Sequence, residues 1–383
     1  MELFDVYQQY DIAPVRGSGM HVWDEFGRAY LDFYGGHAVI SIGHGHPHYL
    51  EALREQLDRL VFYSNAVRNP LQERLARLLG EQSGYADYRL FLCNSGAEAN
   101  ENALKIASFH GGRSGVIAFT GAFHGRTSAA VQITDNPGIR APLNHDMDVR
   151  FIHMNSAEAL EQALRERPAA AVIVEGIQGV EGVVEAGDEF LRDARALCDC
   201  FAAMLILDEV QSGYGRTGDF FAHQRSGIRP DLITIAKGMG NGFPVAGVLI
   251  HPDIAAKRNM LGTTFGGSHL ACAAAIAVLE VLRDENLAER AAAMGEILRS
   301  AVGSLPGVRE VRGRGLMLGI ALDRPAAPLR KALLQTHSIF TGSATRTDTI
   351  RLLPPLVLTE EHAMEFAGAF GSVLSSTFQS ATA

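Results

Sequence analysis

One lysine, Lys237, has the strongest capacity for chemistry. It follows the apolar, β-branched run 232–235 and precedes Gly238, so it lies where a buried strand would end. Burial removes water from an ammonium group and lowers its pKa, and an amine with a lowered pKa can attack a carbonyl to form a Schiff base. The alternative is a strand-end lysine whose ammonium simply reaches solvent. Lysine is scarce in this chain, with only Lys105, Lys237, Lys257 and Lys331 among 383 residues.

A carboxylate ends another apolar run. Asp208, followed by Glu209, comes directly after the residues AMLIL at 203–207. At a buried strand end a carboxylate needs a cation or a hydrogen-bond donor. One interpretation is a structural salt bridge to an arginine. The other is a contact with the nitrogen of a cofactor ring, which would keep that nitrogen protonated so that the ring accepts electrons.

The segment 94–98 (NSGAE) has two interpretations at the start of a predicted helix. Ser95 and Glu98 fit the S-x-x-E capping box, which needs no ligand. Because the first N–H groups of a helix have no partner within it, those of Gly96 and Ala97 could also bind a phosphate, which the helix dipole favours. The sequence leaves both interpretations open.

Aromatic and guanidinium groups elsewhere suit a flat, anionic ligand. Phe123, in the stretch GAFHGRT, offers a ring face for stacking. Arg126 in the same stretch, and Arg351 in DTIRLLPP, each offer a fork for a substrate carboxylate.

Three histidines with alternate spacing, His44, His46 and His48, could suggest a metal site. The glycine and proline between them indicate instead a turn that leads into a helix. No cysteine or carboxylate partner stands at ligand spacing, so no metal site is predicted.

The positions of these residues depend on an alternation of apolar runs with amphipathic helical patterns. Strands are predicted at 88–92, 115–120, 170–177, 203–210, 232–237 and 245–250. This alternation predicts an α/β fold, with a mainly parallel central sheet covered by helices on both faces. The short link GMGNGFP predicts that 245–250 runs antiparallel. Ligands of such sheets bind outside the carboxyl ends of the strands, so the candidate residues are expected to meet at that edge.

The length of 383 residues predicts two domains. We expect a large domain at 46–285 and a smaller α+β domain at 286–383. An N-terminal segment, 1–45, is predicted to pack with the small domain and to contain a β-hairpin at 21–33.

Composition limits the partners. The net charge of −9 gives no basic patch for nucleic acid. No apolar run reaches the length of a membrane-spanning helix, and the first residues lack the basic region of a signal peptide. Four cysteines without a C-x-x-C pair are typical of reduced thiols. We therefore expect a cytoplasmic protein that binds neither membranes nor nucleic acid.

Several longer stretches carry a family resemblance. NSGAEANENALK, GAFHGRT, EGIQGVEGV, LILDEVQSGYGRTG, AKGMGNGFPVAGV and GTTFGGSHLACAAA occur in that order, followed by RGRGLMLG and RLLPPL. Together they resemble the class III aminotransferases, which are pyridoxal-phosphate enzymes of fold type I, over nearly the whole chain. A non-catalytic scaffold and a nucleotide-binding module are the alternatives of another class, but the chain has no Walker motif.

The resemblance implies a role for each candidate on the cofactor side. Lys237 would bind pyridoxal phosphate covalently and later move a proton, and Asp208 would contact the pyridine nitrogen. Gln211 would lie near the phenolic oxygen, and Phe123 would stack on the ring. The phosphate would be held by the helix start, with its members Ser95, Gly96 and Ala97, and by Thr264 of a neighbouring subunit. The implied assembly is a homodimer with shared active sites.

On the substrate side, the resemblance implies that Arg126 and Arg351 bind carboxylates. The implied reaction is transfer of the δ-amino group of an N²-acylornithine (acetyl or succinyl) to 2-oxoglutarate, in arginine biosynthesis. Ornithine, 4-aminobutyrate or another ω-amino acid is the alternative donor. One departure bears on this choice, because Val180 stands where relatives often have a glutamate that pairs with the arginine matching Arg351. Glu181 is expected to point elsewhere on an extended backbone.

Overall fold

The computed structural model describes residues 1–381, with the side chains of residues 1–376, so residues 382–383 of the predicted small domain lie outside it. The strands are β1 (Pro14–Ser18), β2 (His21–Asp24), β3 (Ala29–Asp32), β4 (Arg89–Cys93), β5 (Val116–Phe119), β6 (Val149–Ile152), β7 (Ala171–Glu175), β8 (Ile177–Gln178), β9 (Val184–Glu185), β10 (Met204–Asp208), β11 (Leu232–Ile235), β12 (Ala246–Ile250), β13 (Val308–Arg314), β14 (Met317–Leu322), β15 (Ile339–Phe340), β16 (Gly342–Ser343) and β17 (Thr349–Leu352).

The helical segments are α1 (Gly35–Ala38), α2 (Pro47–Arg59), α3 (Pro70–Ser83), α4 (Gly96–Gly111), α5 (Ser128–Gln132), α6 (Ala157–Glu166), α7 (Gly179–Gly182), α8 (Asp188–Phe201), α9 (His269–Asp284), α10 (Leu287–Gly303), α11 (Ala326–His337) and α12 (Glu360–Ala381). Among the described residues, no helix is both long enough and apolar enough to cross a bilayer.

The central sheet has seven strands in the order β4-β12-β11-β10-β7-β5-β6. β12 pairs antiparallel with both β11 and β4, whereas the pairings from β11 to β6 are parallel. The predicted mainly parallel sheet and the antiparallel member at 245–250 are therefore confirmed. β6 was not predicted, because its residues VRFI are half-buried at the sheet edge and carry an arginine.

Helices cover both faces of this sheet. Successive strand residues point to opposite faces, and every residue of β7 and β10 is buried. On one face, Ile173 and Ile206 pack in a core that includes Ala99 and Ala103 of α4. On the other face, Val172, Val174, Leu205 and Leu207 pack in a core with α6 and α8. This explains why the strands are continuous apolar runs.

The N-terminal segment forms its own small sheet. β2 and β3 pair antiparallel as the predicted hairpin, and β1 and β15 complete the order β1-β2-β3-β15. β15 comes from the far end of the chain and pairs parallel with β3. A third sheet has the order β13-β14-β17-β16. The division into segments 1–45, 46–285 and 286–383 stays a prediction.

A left-handed turn follows β3. Gly35, Gly36, His37 and Ala38 have φ values of 56°, 55°, 66° and 65°. A Cβ on Gly35 would lie 2.7 Å from the carbonyl oxygen of Leu353, so glycine is required there. His37 and Ala38 adopt a conformation that costs an L-residue about 1–2 kcal/mol. Such strain persists only where surrounding contacts fix the backbone.

Candidate active site

The carboxyl ends of the central strands surround one cavity of about 300 Å³. Of the residues singled out from the sequence, those that line it are Ser95, Gly96, Ala97, Phe123, Asp208, Gln211 and Lys237. They follow or end β4, β5, β10 and β11. The structure therefore brings most of the sequence-derived candidates together at the edge where α/β sheets bind ligands.

Lys237 lies in a short turn two residues beyond β11. The predicted strand 232–237 is too long, because Ala236 leaves the ladder and Lys237 has a φ of 45°, in the left-handed region. Burial lowers the pKa of Lys237, although the negative charges of Asp208 and Glu175 act in the opposite direction. Lys237 lines the cavity, and none of the side-chain hydrogen bonds within the described residues involves its Nζ. The structure thus provides a half-buried amine at the cavity that is not paired with another side chain.

Asp208 is a buried anion with three donors. Its Oδ2 accepts hydrogen bonds from Nδ1 of His124 at 2.7 Å and Nδ2 of Asn100 at 2.8 Å, and its Oδ1 accepts one from the backbone N–H of Val210 at 3.0 Å. Burial alone would raise the pKa of Asp208, but the contacts with His124 and the charge of Lys237 hold it below its usual value. The ion-pair partner is therefore a histidine rather than an arginine.

The start of α4 is shaped to accept an anion. Ser95 Oγ accepts a hydrogen bond from the N–H of Glu98 at 3.2 Å, and Glu98 Oε2 accepts one from the N–H of Asn94 at 2.7 Å. The N–H groups of Gly96 and Ala97, the first two helical residues, have no acceptor within the helix and lie at the cavity. A Cβ on Gly96 would lie 2.7 Å from Val210, so glycine permits this approach.

An amide and an aromatic ring complete the wall. Gln211 donates from Nε2 to the carbonyl oxygen of His37 at 3.2 Å, and its buried Oε1 has no partner among the described residues. The N–H of Phe123 donates to Glu175 at 3.0 Å. A free amine, a buried carboxylate, an aromatic face and an anion-binding helix start surround one cavity, and this set fits pyridoxal phosphate.

Three sequence-derived candidates do not line the cavity in this chain. Arg126 and Thr264 are exposed. Arg351 is buried on β17, where its Nε donates to the carbonyl oxygen of Ser343 and its Nη1 has no partner among the described residues. Burial lowers the pKa of Arg351, and its charge acts on Lys237. The roles of these three residues stay predictions.

Sequence reasoning assigned no role to Asn100, His124 or Glu175, which also line the cavity. Glu175 ends β7 as Asp208 ends β10, so the same argument about a carboxylate at a strand end would have found it. His124 follows Phe123 directly, but no local signal ties it to a carboxylate 84 residues away.

The turn that contains Val180 differs from the prediction. Residues 179–182 form a helical turn, α7, rather than an extended segment. Glu181 pairs with Arg346 at 3.2 Å instead of reaching Arg351. The carbonyl oxygen of Val180 accepts a hydrogen bond from Thr345 at 2.9 Å, which fixes the turn. Neither side chain of this turn pairs with Arg351.

Each of the three alternating histidines contacts a different carboxylate: His44 with Asp32 at 2.8 Å, His46 with Glu285 at 2.8 Å, and His48 with Glu280 at 2.9 Å. Separate partners orient the three rings individually. Within residues 1–381 no group of three or more potential ligands is arranged for a metal ion.

Glu175 is expected to make the stability of the fold depend on pH. Burial raises its pKa from 4.5 to about 7. Between these values the folded protein binds a proton that the unfolded chain releases, so the free energy of unfolding falls as the pH rises through this window. Glu175→Gln cannot titrate and should remove about 1–3 kcal/mol of that decline.

The check is urea denaturation of the parent and Glu175→Gln at pH 5 and pH 7. Glu51→Gln, a change at an exposed acid on α2, is the control and should follow the parent. Equal declines in the parent and Glu175→Gln would show that Glu175 is already ionised in the fold.

The family model and the curated relatives that match this chain are all aminotransferases. Residues 5–374 match the family model described as aminotransferase class-III. An acetylornithine aminotransferase of Archaeoglobus fulgidus is 41% identical over 361 residues, which are 94% of each chain. An acetylornithine aminotransferase of Bacillus subtilis is 40% identical over 369 residues, which are 95% of each chain.

Solved structures with a similar fold are aminotransferases as well. The ornithine aminotransferase of Toxoplasma gondii has a TM-score of 0.90 and 32% identity, with 98% of this chain and 94% of that chain covered. An acetylornithine aminotransferase of Elizabethkingia anophelis has a TM-score of 0.84 and 30% identity, with 97% and 96% covered. A further structure of the Toxoplasma enzyme, with a TM-score of 0.90 and 31% identity, has partial occupancy of PLP at its active site and covers 99% of this chain and 93% of that chain.

Proposed function

Because this chain belongs to the class-III aminotransferase family, we propose that it transfers the δ-amino group of an N²-acylornithine to 2-oxoglutarate. The products are the N-acylglutamate semialdehyde and glutamate, and the reaction serves arginine biosynthesis in the cytoplasm. The observation that carries this proposal is the cavity in which Lys237, Asp208, Phe123 and the start of α4 meet. Relatives about 40% identical over most of their length are named acetylornithine aminotransferases.

The residues present would hold pyridoxal phosphate at defined points. Lys237 would provide the covalent link, Asp208 would contact the ring nitrogen, Phe123 would stack on the ring and Gln211 would lie near the phenolic oxygen. The α4 start, with Ser95, Gly96 and Ala97, would hold the phosphate through N–H groups and the helix dipole. When bound, this cofactor supplies an aldehyde for amino groups and a ring that accepts electrons.

The protein's own groups control protons at two atoms. Asp208, kept anionic by His124 and Asn100, would hold a proton on the ring nitrogen. Lys237 Nζ, whose pKa is lowered by burial, would be the base that moves a proton at the reacting carbon of the substrate. Arg351 has an unpartnered Nη1, and it would bind a carboxylate of 2-oxoglutarate, with Arg126 for the carboxylate of the donor.

The donor is the point that most needs a test. The holoenzyme should be mixed with N-acetylornithine, N-succinylornithine, ornithine and 4-aminobutyrate in separate half-reactions, each read by loss of the visible band of the lysine-linked cofactor. We expect an N-acylornithine to react with the highest kcat/KM. A higher kcat/KM for ornithine or 4-aminobutyrate would replace the proposed donor. Ornithine is included because the structure closely resembles ornithine aminotransferases.

We also propose a homodimer with shared sites. Apolar side chains that stay exposed in the single chain include Tyr63 and Phe265, at 59% and 63%. The rings of Phe62 and Phe265 lie 5.4 Å apart, so these residues form one apolar surface beside Thr264. Burial of such a surface against a second copy would support assembly, and it would place Thr264 near the partner's cofactor phosphate.

Hybrid dimers test this sharing. A Lys237→Ala subunit keeps its Thr264, and a Thr264→Ala subunit keeps its Lys237. If Thr264 serves the neighbouring site, one site of the hybrid has both residues, so mixing the two weak variants should restore up to about half of the parent activity per dimer. The measurement is activity after co-expression and purification with two different tags. If Thr264 acts within its own subunit, the hybrid should show no more activity than the Thr264→Ala dimer contributes.

Gly179→Ala is expected to displace Gln211. A Cβ on Gly179 would lie 1.7 Å from Gln211 Oε1, far inside van der Waals contact. The amide must move away from the cavity, which should weaken retention of pyridoxal phosphate by about tenfold, the equivalent of one lost hydrogen bond to a charged group. Cofactor loss during dialysis, followed by visible absorbance, measures this effect.

Gly303→Ala is the matched control, since a Cβ there would have 3.8 Å to its nearest neighbour, Val311. It should retain the cofactor as the parent does. Retention by Gly179→Ala equal to that of Gly303→Ala would contradict the assigned position of Gln211.

A further inference from the structure

We propose that Ser41 and Asn241 are positioning residues that hold the turn carrying Lys237 in its reactive conformation. Neither lines the cavity, and neither is required by the roles given above. The proposal rests on the proposed function for its kinetic consequence, but its structural content is independent of the substrate.

Asn241 is a buried amide with every hydrogen bond directed to one segment. Its Oδ1 accepts hydrogen bonds from the N–H groups of Ser41 at 2.9 Å and Ile42 at 3.1 Å. Its Nδ2 donates to the carbonyl oxygen of Gly43 at 3.0 Å. The residue is 7% exposed. Three bonds to three consecutive residues fix the separation of two segments that are 200 positions apart in the chain.

Ser41 returns a bond to the same turn. Its Oγ donates to the carbonyl oxygen of Gly238, the residue after Lys237, at 2.7 Å. Ser41 is 2% exposed, so this bond has no competition from water. Lys237 is therefore anchored from residue 238 and from residue 241, and we call these four hydrogen bonds the Ser41–Asn241 clamp.

The turn needs such an anchor because its own conformation is unfavourable. Lys237 and Asn241 have φ values of 45° and 46°, which are costly for residues other than glycine. The hydrogen bonds within the turn are local ones, from Met239 to Ala236, from Gly240 to Lys237 and from Phe243 to Gly240. Local bonds define the shape of a turn but do not fix its place relative to the cavity. That place depends on the clamp and on the hydrogen bond that the Tyr49 hydroxyl donates to the carbonyl oxygen of Gly240 at 2.7 Å.

The clamp also connects the turn that carries Lys237 to the part of the cavity wall that contains Val39. Residues 41–43 continue from Val39, which lines the cavity. The charges around Lys237 are Asp208, Glu175 and Arg351, and they belong to three other strands. The distance of Nζ from these charges depends on where the turn lies, so the clamp affects both the reach and the electrostatic environment of the amine. A misplacement of about 1 Å can cost about 100-fold in rate.

Asn241→Gly is the sharpest variant, because glycine accepts a φ of 46° without strain and removes three of the four hydrogen bonds of the clamp. Ser41→Ala removes only the bond to Gly238. Two properties of each holoenzyme should be measured: the pH midpoint of the visible band, which reports the surroundings of the lysine-linked nitrogen without any substrate, and the single-turnover rate constant with the preferred amino donor, together with its apparent Kd.

We expect Asn241→Gly to shift the band midpoint and to lower the rate constant by about 10- to 100-fold, with an apparent Kd within about threefold of the parent. Ser41→Ala should change both in the same direction and by less. Asn155→Gly is the matched control. Asn155 has a φ of 63° and bridges Glu185 and Gly187 with bonds of 3.0 and 2.8 Å away from the cavity. It should lose stability but keep the parent's midpoint and rate constant.

Parent values of midpoint and rate constant in Asn241→Gly, or changes no larger than those of Asn155→Gly, would overturn the proposal. If Asn241→Gly does not fold, Ser41→Ala decides by the same two measurements. A parent holoenzyme that reacts with no amino donor would overturn the proposed function instead, and the substrate-free band midpoint would still decide the clamp.

Discussion

Lys237→Ala is expected to lose both the visible band of the lysine-linked cofactor and at least about 10³-fold in turnover. The effect should be large because, in the proposed reaction, one amine would provide both the covalent link and the base. The three other lysines are exposed and none of them lines the cavity, so none is placed to take over the role of Lys237. Absorbance of the purified protein with added pyridoxal phosphate and the rate of glutamate formation are the two measurements.

Lys331→Ala is the control, since Lys331 is exposed on α11. It should keep the band and the rate of the parent. An unchanged visible band in Lys237→Ala would show that the cofactor is linked elsewhere and would remove the basis of the proposed reaction.

Asp208→Asn should lower kcat by about 10²–10³-fold while the visible band is retained. The change keeps the size of the side chain but removes the charge that would keep the ring nitrogen protonated, and a buried charge aimed at a reacting group has an effect of this size. It also replaces one carboxylate oxygen by an amide NH₂, which cannot accept the hydrogen bonds that His124 and Asn100 donate to Oδ2 or the one that Val210 donates to Oδ1. Steady-state kinetics with saturating cofactor separates this effect from weaker binding.

Asp231→Asn makes the same chemical change at the amino end of β11, away from the carboxyl ends that surround the cavity. Asp231 pairs with Arg195 at 2.7 Å and accepts the N–H of Leu205 at 2.7 Å, before β11 begins. It should reduce stability with little change in kcat. If Asp208→Asn also keeps the parent's kcat, the carboxylate is structural and its contact with the ring nitrogen is wrong.

The sequence was informative where one local pattern determines one local structure. Continuous apolar runs predicted the parallel core, and a connection too short for a crossover helix predicted the antiparallel strand β12, which pairs with β11. The hairpin of β2 and β3 followed from alternation around a glycine-containing turn. Strand ends of a parallel sheet meet at one edge, so Ser95, Phe123 and Asp208 could be placed together before the structure was known.

The features that could not be predicted from the sequence depend on contacts between residues that are distant along the chain. The partners of Asp208 come from α4 and from the loop after β5, and no spacing rule relates these positions. The turn at Lys237 was predicted as strand because the residues before it favour strand. Lys237 instead has a left-handed backbone, and the turn is hydrogen-bonded to Ser41, which lies 197 positions before Gly238 in the chain. Glu181 could not be assigned to Arg346, because the helical turn that directs it is itself set by a bond to Thr345.

The pairing of β3 with β15 has a consequence for the order in which the molecule can form. Leu31 lies beside Ile339, and a ribosome adds about 5–20 residues per second, so β3 stays without this neighbour for roughly 15–60 s after it has been made. Contacts so distant along the chain close late. The β2–β3 hairpin must therefore survive with one edge unprotected, and a nascent chain of this protein should depend most on chaperones between the synthesis of β3 and that of β15.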